Sequence, residues 1–213
     1  MNRLRITEIF HSLQGETRTV GLPTVFIRLT GCPLRCGYCD TAYAFQGGHW
    51  KTFDEILTEV AQHGAAYVTV TGGEPLAQPG CIPLLKSLCD AGYTVSLETS
   101  GALDLSAVDP RVVRVMDLKT PGSGECSKNL YDNIPHLQPH DQVKFVICDR
   151  ADYDWSKSIL VDFDLSGRCE VLFSPVWGSL PAGDLADWIL QDKLPVRLQI
   201  QLHKFLWGDA RGR

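Results

Sequence analysis

Gly31-Cys-Pro-Leu-Arg-Cys-Gly-Tyr-Cys-Asp-Thr41 places three cysteines, Cys32, Cys36 and Cys39, within eight residues. A lone Cys-x-x-Cys says little, but a third thiol four positions upstream makes a metal-binding loop. Soft thiolates this close together suit an iron–sulfur cluster or zinc, and the bound metal lowers the thiol pKa so that all three can ligate. Three protein ligands on a four-iron cluster leave one iron open to an outside ligand, and an open metal position is where chemistry happens. A structural zinc knuckle is the alternative. It requires a fourth Cys or His at comparable spacing, and the next candidates are His49 and Cys81.

The chain around this loop has 213 residues, enough for one well-buried core. A formal charge of -5, with 21% charged and 44% hydrophobic residues, lacks the basic excess that gathers nucleic-acid phosphates, so direct nucleic-acid binding is disfavoured. No apolar run approaches membrane-spanning length, and the first residues lack the pattern of a secretory signal; a cytoplasmic protein is expected. Cys81, Cys89, Cys126, Cys148 and Cys169 are scattered rather than clustered and read as small structural hydrophobes rather than disulfide partners.

Residues 4–10 form an amphipathic strand, and residues 23–30 form a second strand that runs into the cysteine loop, so the thiols sit at a strand's carboxyl end. Thr52-Phe-Asp-Glu55 is a capping box; Phe53, Ile56, Leu57 and Val60 follow at helical spacing, and Gly64 ends the helix. A strand over 65–71, a helix over 82–91 with Leu85, Leu88 and Cys89 inward, and a strand over 93–97 repeat the scheme. Residues 102–110 leave room for only a short turn before a strand at 112–117. Strands follow at 143–148, 170–173 and 196–201, with Leu185, Trp188 and Ile189 marking a helix between the last two. This alternation predicts an α/β fold of mostly parallel strands joined by right-handed crossovers. A complete eight-fold barrel typically takes about 250 residues. A single domain spanning 1–213, built as a partial, open β/α barrel with reduced helices, is the expectation.

Polar and glycine-rich motifs fall just after strands, where the sites of parallel sheets collect. In Thr71-Gly-Gly-Glu-Pro75 the paired glycines let backbone approach a ligand, although a plain tight turn explains many such pairs. Lys119, in Asp117-Leu-Lys-Thr-Pro-Gly122, could pair with a carboxylate or a ribose hydroxyl, or be a solvated loop lysine. Ser174-Pro175 ends a later strand.

The Cys-x3-Cys-x2-Cys spacing, with aromatic Tyr38 directly before the last cysteine, resembles the signature of the radical S-adenosylmethionine (SAM) superfamily. There the open iron is chelated by SAM, and the Gly-Gly-Glu-Pro loop receives its amino group. More specifically, Glu8-Ile-Phe-His-Ser-Leu-Gln-Gly-Glu16, Phe26-Ile-Arg-Leu-Thr-Gly-Cys32, Cys39-Asp-Thr41, Thr71-Gly-Gly-Glu-Pro75, Glu98-Thr-Ser-Gly101 and Gln201-Leu-His-Lys204 resemble, nearly end to end, the 7-carboxy-7-deazaguanine synthase family. The resemblance implies a homodimeric lyase of queuosine biosynthesis with a 4Fe-4S cluster, SAM and Mg2+. Such an enzyme converts 6-carboxy-5,6,7,8-tetrahydropterin to 7-carboxy-7-deazaguanine and ammonia, with an electron donor such as flavodoxin or ferredoxin. It implies cluster ligation by Cys32, Cys36 and Cys39 and a magnesium contact at Thr41. By the same resemblance Leu13, Gln14, Gly15, Arg28 and Thr71 line the pterin pocket, while Tyr38, Cys39, Asp40, Gly73, Asp117, Leu118, Lys119, Ser174 and Pro175 surround SAM. Thr17 and Asp117-Leu118 depart from the family pattern and predict altered loop shape. The tail after Lys204 bears on how the substrate pocket closes. A radical SAM activating enzyme for a glycyl-radical protein, or a non-catalytic zinc or Fe-S protein, is the competing reading.

Overall fold

The structure is a computed structural model and describes residues 2–212. It is organised on one nine-stranded sheet in the order β3-β1-β2-β4-β5-β6-β7-β8-β9. The chain begins with β1 (Arg3–Leu13), which pairs antiparallel with β2 (Pro23–Leu29) on one side and with the short β3 (His49–Thr52) on the other. From β2 onward every neighbouring pair is parallel, through β4 (Tyr67–Gly72), β5 (Thr94–Thr99), β6 (Val113–Asp117), β7 (Gln142–Ile147), β8 (Glu170–Pro175) and β9 (Arg197–Leu198). The sheet is open, with β3 and β9 as its edges. Because β2 and the strands after it run the same way, the loops that follow them gather on one side.

Helices cover one face. The first, α1 (Phe53–Gln62), carries the expected capping box: Thr52 Oγ1 accepts from the Glu55 amide, and the Glu55 carboxylate accepts from the Thr52 amide. Then come α2 (Cys81–Asp90), α3 (Arg150–Asp162), the one-turn α4 (Leu165–Arg168) and α5 (Ala182–Asp192), whereas α6 (Leu202–Trp207) packs instead beside Gly15. Ile56, Val60, Leu84, Leu85 and Leu88 pack on Val25, Ile27, Val68, Val70, Val95 and Leu97 in one apolar cluster. A second cluster joins Tyr153, Ile159, Leu160, Leu185 and Ile189 to Val143, Phe145, Val171 and Phe173. Each such side chain, fully buried, contributes about 1.5–3 kcal/mol.

Several elements differ from the sequence expectations, among them β3, α4 and α6, which the sequence reading did not assign. The strand expected over 196–201 is confined to Arg197–Leu198. At Gln199 the chain turns inward, its amide bonding to Phe173 O and its side-chain amide reaching Gly15 O. Helix α3, unassigned from sequence, is capped by Asp149, whose side chain accepts from the Asp152 amide. The thin crossover between β5 and β6 contains turns only, as its length demands. No helix of the described residues is long and apolar enough to cross a membrane.

Arg114 of β6 lies under this reduced crossover with its side chain 4% exposed. Asp141 accepts from the Arg114 amide at 2.7 Å and from its guanidinium at 3.1 Å, while Val108 O and His136 O take further donors. Removing one partner leaves an uncompensated buried charge, which costs about 3–5 kcal/mol. Asp141→Ala should therefore lower the urea midpoint by that equivalent with little change in the denaturant slope, and a loss below about 1 kcal/mol would refute the assignment.

Candidate active site

The face of the sheet opposite the helices is polar. On β2, Val25, Ile27 and Leu29 point to the helices while Phe26 and Arg28 point away; on β4, Val68 and Val70 alternate with Thr69 and Thr71; on β5, Val95 and Leu97 alternate with Ser96 and Glu98. The same two-residue period brings Val115 and Asp117 of β6, Lys144 and Val146 of β7, and Ser174 of β8 to the inner face. They enclose a cavity of about 690 Å³, a size suited to small ligands.

The cysteine loop forms part of its wall. Cys32, Cys36 and Cys39 are all free and half-buried, and all line the cavity. Burial pushes the Cys32 and Cys36 thiols up, and nearby acidic groups and the neighbouring thiols add to it, so a cationic centre is what would hold them as thiolates. That donor chemistry fits an iron–sulfur cluster. Among the described residues no three His, Cys, Asp or Glu side chains gather closely enough to hold a single metal ion.

The loop's place is set by the Gly-Gly-Glu-Pro segment. The Glu74 amide donates to Gly31 O at 2.8 Å, and a β-carbon on Gly73 would overlap that carbonyl and press on Cys32. Gly31 itself has φ +99, a left-handed backbone that favours glycine. The Glu74 carboxylate is wholly buried and is not part of the cavity wall. It accepts from Thr99 Oγ1, Ser100 N, Ser100 Oγ and Leu76 N.

The residues singled out from sequence are placed as follows. Leu13, Gln14, Gly15, Arg28, Tyr38, Asp40, Thr41, Thr71, Gly73, Asp117, Lys119 and Ser174 join the three cysteines around the cavity. Leu118 packs into the second apolar cluster and Pro175 pairs with Ile147 at the end of β8, so neither lines it. The Gln14 side-chain amide donates to Glu98 and Thr69, both at 3.2 Å, and its oxygen accepts from Glu16 N; these bonds orient Glu98. Arg28 Nε bonds to Glu8 at 2.7 Å, and Tyr43 donates to the same carboxylate. Thr41 Oγ1 donates to Asp40 Oδ1 at 2.8 Å, and a hydroxyl beside a carboxylate is the oxygen donor chemistry that magnesium takes.

Sequence reasoning connected the tail after Lys204 with closure of the substrate pocket, but it gave no individual site role to Lys144, nor to Glu16, Glu98 or His203 within the motifs that contain them. Glu16 pairs with Lys144 at 2.6 Å; burial opposes its charge, but the ammonium overrides that and lowers its pKa to about 2. Glu98 is pushed the other way, chiefly by burial, while Lys144 and the hydrogen bonds from Thr71 and Gln14 restrain the rise. The signal was present for Lys144, which interrupts the apolar run of β7. Residues 208–212 also line the cavity, with Lys204 bound to Asp209 at 2.6 Å and the Arg211 guanidinium 4.4 Å from the Tyr43 ring centre.

A family model described as the radical SAM superfamily matches residues 26–117, the span holding the cysteine loop and the Gly-Gly-Glu-Pro turn. The fold and this loop define a radical SAM protein. The chain is 46% identical over 213 residues to a 7-carboxy-7-deazaguanine synthase of Chlorobaculum tepidum, covering 98% of this chain and 97% of that one. It is 42% identical over 219 residues to one of Koribacter versatilis, covering 96% and 97%. The crystal structure of QueE from Escherichia coli superposes with a TM-score of 0.77 at 22% identity, over 94% of this chain and 95% of that one, a likeness of fold. The chain thus belongs to the 7-carboxy-7-deazaguanine synthase family.

Two outcomes follow from this geometry. Gly73→Ala should displace the cysteine loop and lower the iron retained per chain while leaving the far-ultraviolet circular dichroism intact; full iron retention would show that the close approach is dispensable. Glu16 has a folded pKa lowered from 4.5 to about 2, so its ionisation stabilises the fold fully above pH 4.5, and that contribution is lost as pH falls toward 2. Glu98, raised above 4.5, acts in the opposite sense and in the window above 4.5. Glu16→Gln should flatten the decline in stability between pH 4.5 and 2 by at most about 3 kcal/mol; an unchanged acid limb in urea titrations would refute it.

Proposed function

We propose that this chain is a 7-carboxy-7-deazaguanine synthase, catalysing the ring contraction of 6-carboxy-5,6,7,8-tetrahydropterin with loss of ammonia. The supporting observation is the small cavity itself: the three thiols, the Gly73 turn and Lys119 meet one part of it, while Thr71, Arg28 and Glu98 meet the rest. An activating enzyme for a partner protein needs an open docking face instead. When bound, a 4Fe-4S cluster held by Cys32, Cys36 and Cys39, together with SAM, would supply reductive cleavage to a radical able to remove a hydrogen atom from carbon.

The chain's own residues have three tasks. First, Gly73 lets the β4 turn lie against the cysteine loop, and Asp117 with Lys119, paired at 2.9 Å, offers a carboxylate and an ammonium to the polar parts of SAM. Second, Arg28 presents a planar fork to the substrate carboxylate, and Thr41 with Asp40 would hold magnesium beside it. Third, Glu98, aimed by Thr71 and Gln14, presents its carboxylate oxygens to the donor edge of the pterin. The tail across the mouth excludes water. An electron donor, a homodimer and a cytoplasmic location belong to the same proposal.

The test supplies cluster-loaded protein with the pterin deuterated at C6, SAM, magnesium and a reductant. The expected outcome is 7-carboxy-7-deazaguanine over many turnovers per SAM, with deuterium in the 5' position of recovered SAM. Gln14→Ala should suppress product while keeping about four irons per chain, and Thr41→Ala should weaken the dependence on magnesium. SAM cleavage with the pterin untouched would overturn the assignment in favour of an activating enzyme.

A further inference from the structure

A lysine inside a β-strand is costly unless its ammonium is paired. Lys144 lies on β7 between Val143 and Phe145, which are fully buried against the helices, so the strand's two-residue period turns Lys144 into the cavity. The β6–β7 register sets it directly beside Asp117. Its ammonium stands 2.6 Å from Glu16 Oε2 and 3.7 Å from Asp117 Oδ2, and Lys119 binds the same Asp117 oxygen at 2.9 Å. Charges therefore alternate along one line: Glu16, Lys144, Asp117, Lys119.

The two ends of this line belong to different parts of the cavity. Glu16 follows β1, in the loop where Gln14 reaches Glu98, and Glu98 in turn accepts from Thr71. Lys119 lies 6.0 Å from the Tyr38 ring centre, beside the cysteine loop. Asp117 Oδ1 is buried and has no protein partner, which leaves an acceptor for a ligand hydroxyl or amine. Burial opposes the ammonium of Lys144, but Glu16 and Asp117 outweigh it and keep the group charged.

We propose that Lys144 is a positioning residue that couples the two ligand pockets: shared between Glu16 on the pterin side and Asp117 on the SAM side, it makes occupancy of either pocket tighten the other. The proposal rests on the functional reading above. A ligand donor on Asp117 Oδ1 draws charge from that carboxylate, so the ammonium settles on Glu16 and fixes the loop that carries Gln14. A ligand ordering that loop acts in reverse, and linkage requires the two effects to be equal.

The test is equilibrium binding to cluster-loaded protein without oxygen or reductant, so that nothing turns over. SAM affinity is measured with and without saturating 6-carboxytetrahydropterin. Wild-type protein should bind SAM at least about fivefold tighter with pterin present, and pterin should tighten by the same factor when SAM is saturating. In Lys144→Met the ratio should fall to about one, and Lys144→Arg should restore part of it, with iron content and circular dichroism unchanged. Glu16→Gln cuts the same link from the loop side and should also lower the ratio, so the test stands if Lys144→Met does not fold. A wild-type ratio of one, or a ratio that Lys144→Met or folded Glu16→Gln leaves intact, overturns the coupling. Wild-type protein that binds SAM but no pterin at all overturns the functional reading, and the coupling with it.

Discussion

The buried carboxylate of Glu74 is the constraint on which the site depends. Four donors from Leu76, Thr99 and Ser100 satisfy it, so the end of β4 is tied to the end of β5. A carboxylate removed from water without such partners would cost several kcal/mol. Its own amide then fixes Gly31, and through Gly31 the thiol loop. The position of three clustered cysteines on β2's exit is in this way set by two neighbouring strands. The glycine pair before Glu74 is needed for closeness: a side chain at Gly73 would occupy the space of the Gly31 carbonyl.

Parallel strands are usually apolar on both faces because helices cover both. Here they alternate, and the alternation is the cavity. Val68 and Val70 against Thr69 and Thr71, or Val95 and Leu97 against Ser96 and Glu98, divide each strand between a packed layer and a polar interior. The thiol loop, the capped α1 and the reduced crossover after β5 were legible in the sequence, since each is encoded by a short local stretch, whereas two-faced alternation was read only for the first strand. Less legible was the partnership of polar residues. Glu16 and Lys144 meet across 128 positions and Gln14 and Glu98 across 84, and no local pattern announces either pair. Helix α3 escaped for a different reason: Arg150, Asp152, Asp154 and Lys157 crowd its sequence, and Asp152 spends its charge inward, accepting from Thr120, Gly122 and Cys148.

The segment after β9 explains how an open sheet can still hold a walled cavity. A barrel closes by pairing its first and last strands, but β9 is two residues long and β3 lies on the far edge. The segment after β9 substitutes for that pairing. Leu202 N donates to Gly15 O, Gln201 bonds to Glu16, and His203 packs where a side chain on Gly15 would have to be. The missing strand contact is thereby replaced by side-chain and main-chain bonds to the very loop that carries Gln14 and Glu16. Beyond it, Lys204 holds Asp209 and Arg211 lies over Tyr43, so the tail spans the mouth from α6 to the turn after the cysteine loop. Closure made of such few, partly exposed polar contacts is weak in comparison with a hydrogen-bonded strand pair. A boundary of that strength can open and re-form without unfolding the sheet, and the residues that make it are continuous with the loop that carries Gln14 and Glu16.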